Sequence, residues 1–189
     1  MKERKSVTLV ELLIAMVLMG VVVLAAMAFD AAGREFFRTS ERKAEALNEL
    51  AYALDHVHKH VSMGIGDCDD PALTIAPIAG GYQLTIRQDI NAATGNFNDT
   101  PADYTDDRTV TYTFNTSNGD ITFNGEVIVD NNLVNIVVAE VVSPGGEQEG
   151  VTLHSIVARR RADEPQHERD NPTVSLPESF FIPFCQSSN

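Results

Sequence analysis

The spacing of apolar and polar residues follows three successive patterns along this chain. Between residues 7 and 29 only Thr8 and Glu11 are polar, and residues 12–29 are 18 consecutive positions without a charge or an amide. As a helix that run measures about 27 Å, and starting it at residue 7 adds about 8 Å, enough to cross a hydrocarbon core of about 30 Å. From Arg34 the pattern turns amphipathic. Leu47, Leu50, Leu54, Val57 and Val61 recur at spacings of three and four, and Phe36, Phe37 and Ala44 extend the stripe upstream. Glu41, Arg42, Lys43, Glu45, Asn48 and Glu49 supply the polar side. This is the periodicity of a helix with one buried face. No proline precedes Pro71, so one helix over residues 7–63 is expected, stopped by Gly64 and Gly66.

Beyond Gly66 the period shortens to two. Residues 82–87 and 108–114 alternate as strands, residues 73–78 form a short strand or extended segment, and residues 89–107 read as a long polar loop. Ser117-Asn118-Gly119-Asp120 is expected to be a hairpin turn, because Asn-Gly favours type I′, and Asn124-Gly125 turns the chain again. Residues 133–142 form one apolar strand or two short ones, and residues 151–159 the last clear strand. Residues 160–178 hold Pro165, Pro172 and Pro177 and read as an irregular loop, followed by an apolar tail of Phe180, Phe181, Ile182 and Phe184. The sum is one long helix and five to seven antiparallel strands. The helix stripe needs a surface to cover and the sheet needs a cover.

Lys2, Arg4 and Lys5 stand ahead of the apolar run, with Glu3 the one acid among them. The positive-inside rule keeps that end in the cytoplasm. Glu11 is the costly residue: a charge within a spanning helix costs about 3 kcal/mol and calls for a partner. No basic residue follows it before Arg34. Either Lys5 snorkels back to it, or Glu11 awaits a cation from another molecule.

The stretch Ser6-Val7-Thr8-Leu9-Val10-Glu11-Leu12-Leu13-Ile14-Ala15 resembles the class III signal of type IV pilins and of the pseudopilins of type II secretion. The usual form of that signal is Gly-Phe-Thr-Leu-Ile-Glu before an apolar helix. The resemblance implies that prepilin peptidase cuts between Ser6 and Val7 at the inner membrane and that the new terminus, Val7, is N-methylated. It also implies an assembly role for Glu11, which in the family pairs with the N-terminal amine of a neighbouring subunit. Ser for Gly before the cut and Val for Phe after it depart from the usual form. The implied fold is α+β and pilin-like, a long N-terminal helix on an antiparallel sheet. The implied layout is a leader at 1–6, a membrane or filament-core helix at 7–29, an amphipathic continuation at 30–63 and a periplasmic β domain at 64–189.

Charge narrows the partners. The 189-residue chain carries a net charge of -13, and residues 1–6 hold Lys2, Arg4 and Lys5 against Glu3, so the mature chain is more acidic still. Such a surface repels nucleic acid and anionic lipid, and Arg159-Arg160-Arg161 is the one basic run that could offset it. The partners that the resemblance implies are other pilins or pseudopilins, prepilin peptidase and, before assembly, the inner membrane, and no nucleic acid is expected. Cys68 and Cys185 are the two cysteines. Outside the cytoplasm they are expected to bridge, closing a loop of about 118 residues worth about 4–5 kcal/mol in the chain-entropy model. Two free thiols, or a bond to another protein, are the alternatives.

No cofactor is called for. His56 and His60 share a helix face at a spacing that can hold zinc, but no third ligand is specified and the Glu of His-Glu-x-x-His is missing. Solvated histidines near a helix C-terminus are the plainer reading. Asp67, Asp69 and Asp70 flank Cys68, and Asp99, Asp103, Asp106 and Asp107 lie in the long loop. Oxygen-rich loops suit calcium, yet the spacing is not that of an EF-hand. Ser155 beside His154 is no catalytic pair, since neighbouring strand residues face opposite ways, and no phosphate loop occurs, so no enzyme is expected. The reading is a structural subunit: a minor pilin that helps initiate a filament or caps its tip, with a minor pseudopilin of type II secretion as the alternative. A secreted binding domain behind an ordinary signal peptide, cut after Ala26-Met27-Ala28, is opposed by Glu11 and by the length of the apolar run.

Overall fold

The computed structural model describes residues 8–66, 70–97, 103–142, 148–167, 170–176 and 180–183. Among the described residues one helix, α1 (Leu9–Val61), is followed by nine strands: β1 (Leu73–Ile78), β2 (Gly81–Asn91), β3 (Asp107–Asn115), β4 (Asp120–Phe123), β5 (Glu126–Val129), β6 (Leu133–Val142), β7 (Gln148–Arg159), β8 (Thr173–Leu176) and β9 (Phe180–Pro183). The chain divides into two compact units, one ending at Glu41 and one beginning at Arg42. The first is the N-terminal part of α1. The second holds the rest of α1 and all nine strands.

In the second unit α1 buries Ala46, Leu50, Ala53, Leu54, Val57 and Val61, an i, i+4, i+7 stripe. It is narrower than the sequence suggests. Leu47 packs at the core's edge, Ala44 is exposed, and in the first unit Phe36 and Phe37 are exposed. At 100° per residue Ala44 points about 130° away from the stripe's centre. Its apolar character is no guide to the face it is on.

The strands form two antiparallel sheets rather than one. The first runs in the order β1-β2-β3-β4-β5 and the second is centred on β7, with β6 on one edge and β8 and β9 end to end on the other. The core joins the α1 stripe to Leu73, Leu84, Ile86, Val110, Tyr112, Phe114 and Ile121 of the first sheet and to Leu133, Ile136, Leu153, Ile156 and Ala158 of the second. The arrangement is α+β, a long N-terminal helix packed on antiparallel sheets, as the sequence pattern implies.

Three segments differ from the sequence reading. β2 continues through Gln88, Asp89 and Ile90, all buried, and a bulge between Gln88 and Asn91 absorbs the break in alternation. Strand β8 lies within the proline-rich segment, held by Ile156↔Leu176 to Arg159↔Thr173 pairing. The apolar tail supplies β9, paired with β7 from Gly150↔Pro183 to Leu153↔Phe180. The turn chemistry also exchanges places. Asn124 and Gly125, at φ 50° and 86° between the paired Phe123 and Glu126, make the two-residue type I′ turn. The other Asn-Gly lies in a four-residue loop closing Asn115↔Asp120, where Gly119 takes φ 83° and donates its N–H to the Asn115 carbonyl at 2.9 Å.

Gly119 is also the point where the two sheets are tied. Its carbonyl accepts from the N–H groups of Asn132 and Leu133 at 2.9 and 2.7 Å. A Cβ there would lie 2.6 Å from the Ala162 Cβ and 3.0 Å from the Asn131 backbone, whereas a Cβ on Gly125 would meet nothing. Gly119→Ala should therefore destabilise the full chain in detergent by about 3 kcal/mol, strain plus overlap, and Gly125→Ala by about 1 kcal/mol. Urea unfolding midpoints measure both, and equal shifts would contradict the assignment.

Candidate functional site

The candidate site begins where α1 begins. Thr8 precedes the first helical residue and Glu11 lies in the first turn. Glu11 Oε2 accepts from the Thr8 N–H at 3.0 Å and from the Thr8 hydroxyl at 3.1 Å, while the Glu11 N–H donates to Thr8 Oγ1 at 3.3 Å. Each residue satisfies a backbone donor left over at the helix start, which is a capping box. The sequence carries the signal for it, a Thr followed three residues later by a Glu ahead of an apolar run, yet the cost of the charge draws attention first. Glu11 is thus bound within its own chain, and its charge lies at the positive end of the helix dipole.

Downstream of that cap every large apolar side chain through Phe29 is exposed, from 46% at Val23 to 81% at Phe29. The helix is long and apolar enough to cross a membrane by length and composition. Charge returns at Asp30 and Arg34, paired at 2.7 Å across one turn.

The other sequence candidates fall elsewhere. Ser6, Val7, Cys68 and Cys185, with Asp67, Asp69 and Asp99, lie outside the described residues. Asp103 Oδ1 accepts from the Thr105 hydroxyl at 2.6 Å and its N–H at 3.0 Å, two bonds that hold the Asp103 carboxyl below the usual carboxylate range. Asp106 Oδ2 accepts from Asn91 Nδ2 at 2.7 Å. Both acids thus shape the loop after β2. His56 and His60 are half-buried rather than solvated. His56 Nδ1 lies 2.7 Å from the Tyr112 hydroxyl and His60 Nδ1 lies 3.0 Å from Gln88 Nε2. Among the described residues no three His, Cys, Asp or Glu side chains are grouped to hold a metal ion. The arginine run is partly spoken for: Arg160 meets Glu45 at 3.2 Å and Arg161 pairs with Glu164.

Sequence reasoning passes over the densest charge cluster, which is centred on Arg87 of β2. Its Nη1 bonds Asp70 Oδ2 and its Nη2 the Asp70 carbonyl, both at 2.7 Å, and its Nε lies 3.6 Å from Asp107 Oδ2. The Tyr104 ring stacks 4.1 Å from its guanidinium carbon. Asp107 and Asp89 are both buried, each with a carboxylate oxygen that has no hydrogen-bond partner among the described residues. Burial, and then the neighbouring Asp89, push the Asp107 carboxyl above its ordinary range, against the pull of Arg87. Alternation points Arg87 away from the Leu84, Ile86 and Gln88 face, so periodicity marks it only as polar.

Residues 1–27 match the family described as the prokaryotic N-terminal methylation motif, the signal of type IV pilins and pseudopilins. No curated protein and no solved structure matches the chain. The motif supports a type IV pilin or pseudopilin, a structural rather than enzymatic kind of protein. It implies processing by prepilin peptidase and assembly with other pilins. With the apolar helix it indicates a membrane-anchored, single-pass chain.

Two outcomes test this geometry. Thr8→Val keeps the shape of the side chain and removes the hydroxyl, so it should cost the first turn of α1 about 1 kcal/mol, read as faster amide exchange at residues 11–13. Unchanged exchange would contradict the capping box. Arg87→Met leaves the buried Asp107 carboxylate without its cation and should destabilise by about 3 kcal/mol near neutral pH. Because the Asp107 pKa is raised in the fold, its neutral form is the one favoured below the unfolded-state pKa, and that contribution is lost as pH rises through the folded value. The loss in Arg87→Met should therefore shrink as pH falls through the carboxylate range, and a loss that grows would contradict the cluster.

Proposed function

We propose that this chain is a minor pilin of a type IV pilus-like filament, which helps initiate assembly or caps the tip. The observation that carries the reading is the capped Glu11 at the head of an exposed apolar helix inside the matched motif. In this reading the N-terminus faces the cytoplasm and residues 64–189 form the periplasmic domain. Prepilin peptidase cuts between Ser6 and Val7, and Val7 is methylated. Cutting there creates an amine one residue ahead of Thr8, and helices stacked side by side bring the amine of an incoming subunit to the Glu11 of one already placed. Two charges that are costly in hydrocarbon neutralise each other, and a slip of one turn would leave both unpaired. The bonds from Thr8 hold the carboxylate until that exchange.

Cys68 and Cys185 bridge in this reading. The strand just before Cys185, β9, is already held against β7, so the bridge would tie an anchored tail to the segment after α1. Non-reducing peptide mapping of periplasmic material should recover the two cysteines in one linked pair of peptides, and two free thiols would overturn it.

Intact-mass analysis of membrane-extracted protein should give a chain beginning at methylated Val7. A chain beginning at Phe29 would instead identify a secreted domain cut by signal peptidase. Glu11→Ala should insert, be processed and fold, yet drop out of sheared filaments, and Glu11→Gln should fail almost as badly, because the amide carries no charge to meet the amine. Wild-type incorporation of Glu11→Ala would refute the assembly role. Incorporation that requires type II secretion components rather than pilus components would make the chain a minor pseudopilin.

A further inference from the structure

Along β2 the inward positions run Leu84, Ile86, Gln88, and the third places an amide, 1% exposed, at a core position. Its Nε2 donates to His60 Nδ1 at 3.0 Å and to the His60 carbonyl at 3.2 Å, while its Oε1 is buried without a hydrogen-bond partner among the described residues. One turn earlier the Tyr112 hydroxyl lies 2.7 Å from His56 Nδ1 and 3.1 Å from the His56 carbonyl. The Phe123 ring sits 4.9 Å from each imidazole, and the imidazoles are 4.9 Å from each other. The same stretch of β2 holds the chain just past the helix: Gly64 bridges to Gln88, and the Ile65 N–H donates to the Arg87 carbonyl at 3.0 Å.

The donor fixes the histidine. An amide N–H pointing at Nδ1 requires a lone pair there, so His60 is neutral with its proton on Nε2. A protonated imidazole is a donor at both nitrogens and would face the Gln88 N–H donor to donor. The buried Oε1 could accept that proton only if the amide turned over, and turning it over would set an oxygen against the His60 carbonyl. The charged and titratable neighbours do not relieve this. His56 and Lys59 approach from α1 and Arg108 from β3. The ring-bearing neighbours, Tyr112 of β3 and Phe123 of β4, bring no negative charge.

We infer that the His60–Gln88 contact is an acid-sensitive latch, which fastens the last turn of α1 and residues 62–66 to the first sheet while His60 is neutral and releases them when it is protonated. The sign follows from the surroundings. Burial, then the nearby His56, hold His60 below the ordinary histidine range, with Lys59 and Arg108 adding to them. A histidine lowered in the fold contributes stability above its unfolded pKa, and loses it as pH falls through the folded value.

Hydrogen–deuterium exchange of the full chain in detergent tests this at about pH 7.5 and about pH 5. After correction for intrinsic rates, protection of amides 58–65 should fall several-fold on acidification, while amides 110–114 of β3 keep theirs. His60→Gln should remove the difference between the two pH values. Gln88→Glu supplies a carboxylate acceptor and should reverse it, giving more protection at the lower pH. Equal protection of the wild-type segment at both pH values would overturn the inference. So would a loss that persists undiminished in His60→Gln, because it would belong to another group.

Discussion

The structure depends on one constraint: a single helix has to satisfy two different surroundings along its length. From Ala46 to Val61 one face of α1 is covered by its own domain, and six side chains on that face are buried. From Leu9 to Phe29 every large apolar side chain is exposed. At about 25 cal/mol for each Å² of apolar surface, that uncovered stretch represents a large free energy that only lipid or another protein can recover. The capping box at Thr8 and Glu11 belongs to the same problem. It keeps the one carboxylate in an apolar segment hydrogen-bonded, and with bonds that can be exchanged.

The domain is built around the other requirement, that α1 be covered. Two sheets share the task, so both contribute side chains to one core. Polar side chains then secure the segments that neither sheet controls. Asn171 holds the excursion between β7 and β8 by donating to the Arg161 carbonyl and accepting from the Arg161 N–H. Arg42–Asp170 at 2.7 Å and Arg160–Glu45 at 3.2 Å bind that excursion to α1. Arg87 does the same for the segment before β1 and the loop before β3. The pairs of Arg42 with Asp170, Arg160 with Glu45 and Arg87 with Asp70 are half-buried or exposed, and their value lies in fixing irregular backbone, since surface pairs alone add little stability. The Asp107 side chain beside Arg87 is buried.

Much of this was legible in the sequence, for a physical reason in each case. The helix, the first part of β2 and β3 follow from periodicity, because one face of each is buried and the other is not. β8 was hidden because its four residues, Thr173–Leu176, sit among prolines and have too few positions to show an alternation. The extension of β2 was hidden because Gln88 and Asp89 are polar residues at buried positions, which hydropathy reads as a loop. The type I′ turn went to the wrong Asn-Gly, since the choice between two such pairs depends on strand register rather than on the dipeptide. At the candidate site Glu11 stood out by its cost. Its bond to Thr8 and the clusters around Arg87 and His60 needed three dimensions, because their members come from distant parts of the chain or from a local geometry that composition does not encode.

The central claim is that residues 9–29 are covered by other molecules and not by their own domain. A photo-crosslinking residue in place of Val17, in cells that assemble filaments, tests it most directly. The account predicts crosslinks to lipid in the membrane fraction and to the helices of other pilins in the filament fraction. Crosslinks confined to residues 42–189 of the same chain would contradict it.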